Sequence, residues 1–415
     1  MTSFSIHSFG CRVNQAEAFT WAEEFQKYGL RYERDIGQSD LVFVNTCTVT
    51  SRADRDVRNF LRKVPRLNPH TRIVVTGCFV ERSQRELEKF PQIWKVIPNR
   101  EKGIMPEKIL NDLGTSKRVS SELFRSRAFI KIQDGCDFNC TFCIVPSVRG
   151  KSRSIPQEKI LDKARDAVLR GYKEIVLTGV HLCLYGRDLP PDRGLKNLLE
   201  QLESIEGLSR IRLGSLDPRF LQPELMKCLL ERPKICSHFH FSFQHGSDRI
   251  IHRMGRKISV NQYWKILEES RRKQRHAALG ADIIVGFPGE KDEDFKTTFD
   301  FVESTPLDYL HVFSYSPRPG TPAAEWTGVK PDIIKERAVN LRRLSARKWT
   351  DFRRKFIGDI LPAVVIEKRE KTARVLTSNY IDIAVSQCSG DVREIVEVEI
   401  REIAGKKTKG EIVVR

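Results

Sequence analysis

Cys136, Cys140 and Cys143 stand in the run GCDFNCTFC, a C-x3-C-x2-C spacing on one short loop. Three thiolates that close together can grip one metal centre. A fourth cysteine at matching spacing would suit zinc or a fully ligated cluster. Three is the informative number, because a 4Fe–4S cube held by three thiolates keeps one iron free for a small ligand. The plainer readings are a chance trio, or a zinc loop lacking its fourth ligand. The loop follows the β-rich run Ala128–Gln133. Active sites of α/β barrels lie at that carboxyl edge, which favours the cluster.

Cys11, Cys47 and Cys78 form a second, dispersed trio. Each directly follows a strand-like run, in SFGC, VNTC and VTGC. Strand carboxyl ends share one edge of a parallel sheet, where ligands bind. These cysteines, distant in sequence, are therefore predicted to converge. Gly10 and Gly77 permit sharp turns beside a bulky centre. The chemistry implied is a second three-cysteine cluster, and the alternative is three buried structural thiols. Cys183, Cys228, Cys236 and Cys388 match neither trio and read as packing residues, although Cys183 lies past a strand and could face the site.

The elements that must position these thiols fall into three regions of an α/β protein. Residues 1–115 alternate β-rich runs (Phe4–Phe9, Leu41–Val44, Ile73–Val75) with helix-compatible segments (Gln15–Tyr28, Ser51–Lys63), the pattern of a parallel sheet. Lys102–Ser121 reads as a linker. Residues 122–350 repeat the alternation, with strands expected at Ala128–Gln133, Glu174–Leu177, Arg210–Leu213, Phe239–Phe243, Asp282–Val285 and Tyr309–Phe313. Six such units are too few for a closed eight-stranded barrel, so a partial (β/α)6 barrel is expected. Residues 351–415 turn β-rich from about Gly358. Leu361–Glu367, Ala373–Thr377, Ile381–Val385, Ile395–Ile403 and Gly410–Val414, separated by turns such as Ser389-Gly390-Asp391, predict a small all-β barrel.

Lys and Arg number 72 against 54 Asp and Glu, a formal charge of +18. That excess points to a polyanionic partner or an anionic membrane surface. No secretory signal is visible, and no stretch approaches the roughly 20 apolar residues of a membrane helix. The expectation is a cytoplasmic protein that spans no membrane. In that compartment ten cysteines stay reduced, and metal ligation is the first reading for those that cluster.

The Cys136–Cys140–Cys143 loop resembles that of the radical S-adenosylmethionine superfamily. In that superfamily the open iron is chelated by the amino and carboxylate groups of methionine, and reductive cleavage releases a 5′-deoxyadenosyl radical. Phe142 matches the aromatic residue that precedes the last cysteine and lies by the adenine. Two three-cysteine sites, an α/β N-terminal domain, a partial barrel and a small β barrel together resemble the methylthiotransferases, over essentially the whole chain. The segments HFHFSFQHGSDRIIHRMGRK, DIIVGFPGE and FSYSPRPGTPA fit that family. The C-terminal part looks like its RNA-binding TRAM domain.

The resemblance implies two 4Fe–4S clusters and S-adenosylmethionine. Cys11, Cys47 and Cys78 would hold the auxiliary cluster. Gly179 would contact the methionine amino group, Gln244 the ribose hydroxyls, and Gly286 and Glu290 the region of the adenine. Helix capping is the alternative role for Glu290. His245 stands where the family has a small residue. Arg149, Lys151 and Arg153 suit contact with phosphate or carboxylate. Arg271, Arg272, Lys273 and Arg275 form a denser run. Arg342, Arg343, Arg347, Lys348, Arg353 and Arg354 lead into the β barrel as candidate RNA contacts. A solvated helix face is the default for any one such run, but several runs in so basic a chain favour a phosphate track.

Substrate is read from the residues around the first two dispersed cysteines. FGCRVNQ and NTCTVTSRADRDVRN resemble the threonylcarbamoyladenosine tRNA enzymes. The isopentenyladenosine enzymes usually carry Gln-Met-Asn after the first cysteine, and the ribosomal-protein enzymes Pro-Lys-Asn; here the residues are Arg12-Val13-Asn14. The expected reaction is 2-methylthiolation of N6-threonylcarbamoyladenosine at tRNA position 37 in the anticodon loop, with a low-potential electron donor and a sulfur donor as partners. The enzymatic alternative is the isopentenyladenosine enzyme. The alternative from another class is a non-catalytic iron–sulfur RNA-binding protein.

Overall fold

The computed structural model describes residues 2–115, 126–370, 372–386, 388 and 390–413. The end of the expected linker, the start of the middle region, Ser389 of the expected turn and Val414 of the last expected strand lie outside the described residues. The chain packs as two compact units. One holds residues up to 115 with 134–153 and 316–324; the other holds 126–133, 154–315 and the chain from 325 onward.

The first unit is built on a parallel sheet ordered β2-β1-β3-β4-β5. Its strands are β1 (Ser3–Ser8), β2 (Arg31–Tyr32), β3 (Leu41–Thr46), β4 (Arg72–Gly77) and β5 (Ile93–Ile97). Helices α1 (Arg12–Lys27), α2 (Ser51–Leu67), α3 (Val80–Leu87) and α4 (Met105–Asp112) cover it. Every residue of β3 is buried, as a parallel strand covered on both faces must be. Phe4, Phe25, Phe43 and Trp21 form one core layer. Val42, Val44, Val75, Val57 and Leu61 form the other. Helix α2 starts where the Thr50 hydroxyl accepts from the Ala53 N–H at 3.1 Å, and its buried residues Val57, Leu61 and Val64 recur at helical spacing.

The linker expected at Lys102–Ser121 is corrected by α4. Its Met105, Ile109 and Leu110 are buried in the same layer as Phe4 and Trp21. Three apolar residues among polar neighbours do not reveal a face until the sheet that buries them is present.

The second unit contains β6 (Ala128–Asp134, its last residue entering the first unit), β7 (Arg153–Ser154, whose first residue belongs to the first unit), β8 (Glu174–Gly179), β9 (Arg210–Leu213), β10 (His238–Gln244), β11 (Ala278–Val285) and β12 (Tyr309–Ser314). Strands β7-β6-β8-β9 form one sheet and β10-β11-β12 another. Parallel bridges Ile211–Ile235 and Leu216–Phe241 join them, giving the expected open, partial barrel. Helices α5 (Val145–Arg149, in the first unit), α6 (Gln157–Leu169), α7 (Leu195–Glu203), α8 (Pro223–Glu231), α9 (Asp248–Arg253), α10 (Val260–Lys273), α11 (Asp292–Ser304) and α12 (Pro331–Arg354) lie along the connections. Phe243 stacks on Tyr263 of α10 at 4.1 Å.

Strands β13 (Ile360–Lys368), β14 (Thr372–Thr377), β15 (Asp382–Ser386), β16 (Ile395–Ala404) and β17 (Lys407–Ile412) close a barrel in the order β13-β14-β15-β17-β16. Closure pairs the strand edges that would otherwise invite aggregation. Alternate residues Ala363, Val365, Val375, Ile383 and Val398 fill it.

This barrel is bolted to the amino end of the four-stranded sheet β7-β6-β8-β9 by buried charge. Arg212 Nε donates to Glu174 Oε1 at 2.7 Å, and its Nη atoms donate to the carbonyls of Thr377 and Ser378 at 3.0 Å. Arg210 donates to the carbonyls of Leu376 and Pro362. Burial opposes ionisation of Glu174, but Arg212, Arg127 and Arg210 outweigh it and hold the carboxyl below its usual range. Glu174→Ala leaves a buried guanidinium without its counter-ion, a change that costs about 3–5 kcal/mol. A clear fall in the urea unfolding midpoint is the expected result, and an unchanged midpoint would show that the pair contributes little.

Candidate functional site

Both three-cysteine sets belong to the first unit. Strands β1, β3 and β4 are neighbours in its sheet, so Cys11, Cys47 and Cys78 emerge side by side at one carboxyl edge. Cys11 is exposed at the start of α1, while Cys47 and Cys78 are buried. Gly10 has φ +83°, and a Cβ there would lie 2.5 Å from Cys47 Sγ. At Gly77, φ +109°, a Cβ would run into the Thr46 carbonyl. The two glycines keep the edge clear, as the sequence predicts.

Positive charge stands behind these thiols. Arg149 Nε lies 3.2 Å from Cys78 Sγ. Its Nη atoms reach Asn14 Oδ1, Asp134 Oδ1 at 2.8 Å and Glu17 Oε1 at 3.3 Å. Glu17 Oε2 in turn accepts from Lys102 Nζ at 2.8 Å and from Asn45 Nδ2 at 3.0 Å. Burial pushes the Cys47 thiol up to about 12, with the Cys11 thiol adding to the shift. Burial also raises Cys78, against the pull of Arg149 and Lys102. A cationic iron–sulfur core at this edge would supply the missing positive charge. Three converging sulfurs, a glycine cradle and a guanidinium on one sulfur fit such a group. Of the two contacts expected for Arg149, phosphate or carboxylate, the structure gives carboxylate: it is buried, and its partners are the protein's own Asp134 and Glu17.

The second set follows β6. Cys136, Cys140 and Cys143 are each partly exposed. The loop holds its own shape: Cys136 N–H donates to the Gly150 carbonyl at 3.1 Å and Cys143 N–H to the Cys140 carbonyl at 2.9 Å. Gly135, φ +72°, lies against the carbonyls of Lys151 and Gly150, leaving no room for a Cβ. Phe142, half-buried, lies between the last two cysteines. Ile144 and Val148, beyond Cys143, pack with Cys78. One short stretch, 143–149, therefore carries a cysteine of one set and the guanidinium that touches the other. Arg318 was not singled out from sequence. It donates to Thr48 Oγ1 at 2.9 Å and pairs with Asp54, fixing the turn just after Cys47.

The remaining cofactor residues named from sequence lie in the second unit, at strand carboxyl ends. Gly179 ends β8, and a Cβ there would crowd Gln133 at 3.0–3.1 Å. Gln133 Oε1 accepts from the His181 N–H at 2.8 Å. Gln244 ends β10 with φ +74°, a strained conformation for a residue with a side chain. Such strain collects at ligand sites. Gly286, φ +75°, follows β11 against Ile334 of α12. Glu290 is corrected. Its fully buried carboxylate accepts from the N–H groups of Gly286 and Phe287 and pairs with Arg337 at 3.1 Å, so it shapes the turn rather than facing a ligand. His245 is buried, its Nδ1 accepting from the Ser247 N–H at 3.0 Å.

Sequence reading missed Asp217 as the hub of this edge. Its carboxylate meets His181 Nε2 at 3.1 Å, Arg219 Nη2 at 2.6 Å and Arg256 Nη2 at 3.0 Å. Burial opposes its ionisation, but the His181 hydrogen bond and the two guanidinium groups hold it far below the carboxylate range. A lone Asp in SLDP carries no spacing signal, because its partners come from separate connections.

The basic residues before the C-terminal barrel all lie on α12. Arg342, Arg343, Arg347 and Arg354 are exposed. Arg347 pairs with Glu303 at 2.6 Å, and Arg354 with Asp351 at 3.4 Å. Two expectations are corrected. Arg353 is buried and donates to the carbonyls of Gly405 and Lys406 and to Thr408 Oγ1. Lys348 is half-buried and donates to the carbonyls of Glu303 and Thr305 at 2.9 Å. Of the denser run, Arg271 is bound to Asp308 at 2.6 Å.

A curved α/β sheet with a three-cysteine loop after its first strand defines a radical S-adenosylmethionine enzyme, and residues 130–302 match the Radical SAM superfamily. Residues 3–97 match the family described as Uncharacterized protein family UPF0004. The chain is 36% identical over 398 residues to the threonylcarbamoyladenosine tRNA methylthiotransferase MtaB of Aquifex aeolicus (strain VF5), covering 91% of this chain and 95% of that one. It is 32% identical to the protein of the same name in Bacillus subtilis (strain 168), covering 100% and 97%. The chain belongs to the tRNA methylthiotransferase family of radical S-adenosylmethionine enzymes. The solved radical S-adenosylmethionine methyltransferase TsrM of Kitasatospora setae shares the fold, with a TM-score of 0.58 at 13% identity over 78% of this chain and 75% of that one. Among the described residues no helix is long and apolar enough to cross a membrane.

Proposed function

We propose that this protein converts N6-threonylcarbamoyladenosine at tRNA position 37 to its 2-methylthio derivative, in the cytoplasm, drawing on a low-potential electron donor and a sulfur donor. The observation that carries the reading is the convergence of Cys11, Cys47 and Cys78 at one sheet edge, in the same unit as Cys136, Cys140 and Cys143. Relatives that match nearly end to end and bear the threonylcarbamoyladenosine name support the substrate, as do FGCRVNQ and the run after Cys47.

Bound by the two cysteine sets, iron–sulfur clusters together with S-adenosylmethionine would supply the radical and methylthio chemistry that the unreactive C2 of adenine requires. The chain's own contribution is positioning and charge. Arg149 and Lys102 neutralise the buried edge around Cys78, and Asn14 and Glu17 hold Arg149 in place. Gly10 leaves the room beside the Cys47 sulfur that a Cβ would fill. Gly179, Gln244 and Gly286 remain the residues assigned to S-adenosylmethionine, and Asp217 holds His181 beside Gly179.

The test is nucleoside mass spectrometry of tRNA from a deletion strain, with and without the gene restored. Loss of 2-methylthio-N6-threonylcarbamoyladenosine, with its precursor accumulating, is expected. Loss of the isopentenyladenosine product instead would move the assignment to that substrate. Absence of 5′-deoxyadenosine formation in the reduced, cluster-replete protein would identify a non-catalytic RNA-binding protein.

We assign the C-terminal barrel and the exposed face of α12 to tRNA backbone contact. Removing the barrel would strip Arg210, Arg212 and Arg353 of their carbonyl partners, so surface substitutions make the cleaner test. Changing Arg342, Arg343 and Arg347 together to Ala should weaken tRNA binding and flatten its salt dependence by up to about three charges. Cluster content should not change. An unaltered salt slope would place the phosphate track elsewhere.

A further inference from the structure

His240 on β10, Asp282 on β11 and His311 on β12 meet on the inner surface of the partial barrel, in the second unit, and belong to neither cysteine set. Strand register brings them together. His311 pairs with Asp282 across β11 and β12. His240 pairs with Gly280, two residues before Asp282 and on the same face. Phe239, Phe241 and Phe243 take the opposite face of β10, towards the helices.

Asp282 Oδ1 lies 3.5 Å from His240 Nε2 and 3.4 Å from His311 Nδ1. One ligand atom from each residue lies within 4.8 Å of the others. The two Asp282 separations are long for hydrogen bonds. They match the roughly 3.3 Å between neighbouring ligand atoms around an ion with bonds of about 2.0–2.1 Å. His240 Nδ1 lies 3.2 Å from Ser215 Oγ, the kind of outer partner that fixes a ligating imidazole. The tautomer in which Nδ1–H donates to that hydroxyl turns the Nε2 lone pair towards Asp282, the arrangement a ligating imidazole takes. The His311 side chain is 51% exposed, so an ion could reach the site. Below it, His238 and Tyr309 join by a 2.8 Å hydrogen bond, and Tyr380 stacks on His238 at 4.3 Å, closing the floor.

We propose that His240, Asp282 and His311 form a binding site for a divalent first-row transition ion, with further coordination positions open to the barrel interior. Two imidazoles and one carboxylate are a donor set suited to such ions and harder than the thiolates elsewhere in the chain. The site lies about 13 Å below the rim, counted as four residues from His240 to Gln244 at about 3.3 Å each. It does not rest on the proposed tRNA substrate.

The experiment titrates Mn(II) into anaerobic, cluster-replete protein with both clusters oxidised, and reads free Mn(II) by electron paramagnetic resonance. One bound equivalent is expected, displaced by Zn(II). Asp282→Asn and His311→Gln should each weaken binding by on the order of 100-fold or more, and Ser215→Ala by about 10–100-fold. Iron and sulfide content should stay constant. His311, half-exposed on an edge strand, is the variant least able to disturb folding, so it decides the matter if Asp282→Asn proves unstable. No saturable Mn(II) binding to the wild-type protein, or equal binding by the His311→Gln variant, would overturn the site.

Discussion

Protein in which Cys136, Cys140 and Cys143 are all changed to Ala is expected to make no detectable 5′-deoxyadenosine and to retain about half of its cluster iron. The reasoning is local. The three thiols are partly exposed, so their loss opens no large cavity. The bonds that shape their loop run through backbone atoms, from Cys136 N to Gly150 O and from Cys143 N to Cys140 O, and survive the substitution. Ile144, Val148 and Arg149 still pack on Cys78, so the other set keeps its surroundings. Iron and sulfide analysis, 5′-deoxyadenosine formation under reduction and tRNA nucleoside analysis together check the result. Undiminished 5′-deoxyadenosine would separate this loop from the radical chemistry. Stoichiometric zinc without iron in the unaltered protein would remove the radical reading altogether.

The complementary variant, Cys11, Cys47 and Cys78 to Ala, is expected to yield no methylthiolated tRNA while still forming 5′-deoxyadenosine. The structure refines how clean that separation can be. Cys78 is buried against Ile144 and Val148 and accepts from Arg149. Its removal loosens a stretch that begins at Cys143. Slower 5′-deoxyadenosine formation is therefore expected from the triple variant. Cys11 is exposed and carries no part of that packing. Cys11→Ser alone should abolish tRNA product with nearly normal 5′-deoxyadenosine formation. Full retention of methylthiolated tRNA by either variant would make this set structural. Arg149→Met provides an internal comparison. It leaves all six cysteines in place but removes the guanidinium that touches Cys78 and balances the buried carboxylates of Glu17 and Asp134, so loss of iron is expected without loss of any ligand.

The buried Glu174–Arg212 pair bears on how the C-terminal barrel should be studied. Arg212 is fully buried and serves two carbonyls of the turn after β14. The small barrel is thus part of the charge balance of the four-stranded sheet that carries β8 and β9. A truncated protein would report that imbalance as well as any lost tRNA contact, which is why substitutions on the exposed face of α12 are preferable.

Much of the chemistry was legible in residue order because it depends on short spacing and on strand ends. C-x3-C-x2-C after Ala128–Gln133 needs no tertiary knowledge. Gly-Cys or Thr-Cys after three β-rich runs predicts convergence because parallel strands share a carboxyl edge. The six barrel strands and the closed β barrel follow from alternation and turn residues. Tertiary structure alone decided which polar groups are free to act. Arg149, Arg353, Lys348 and Glu290 read as ligand contacts in sequence. In the fold Arg149 is spent on the carboxylates of Asp134 and Glu17 and on the Cys78 thiol, and the others on carbonyls and backbone N–H groups, because a buried charge must find its partners inside the protein. The converse holds for Asp217 and for His240, Asp282 and His311. Their spacings mean nothing along the chain, and strand register in a curved parallel sheet places them together.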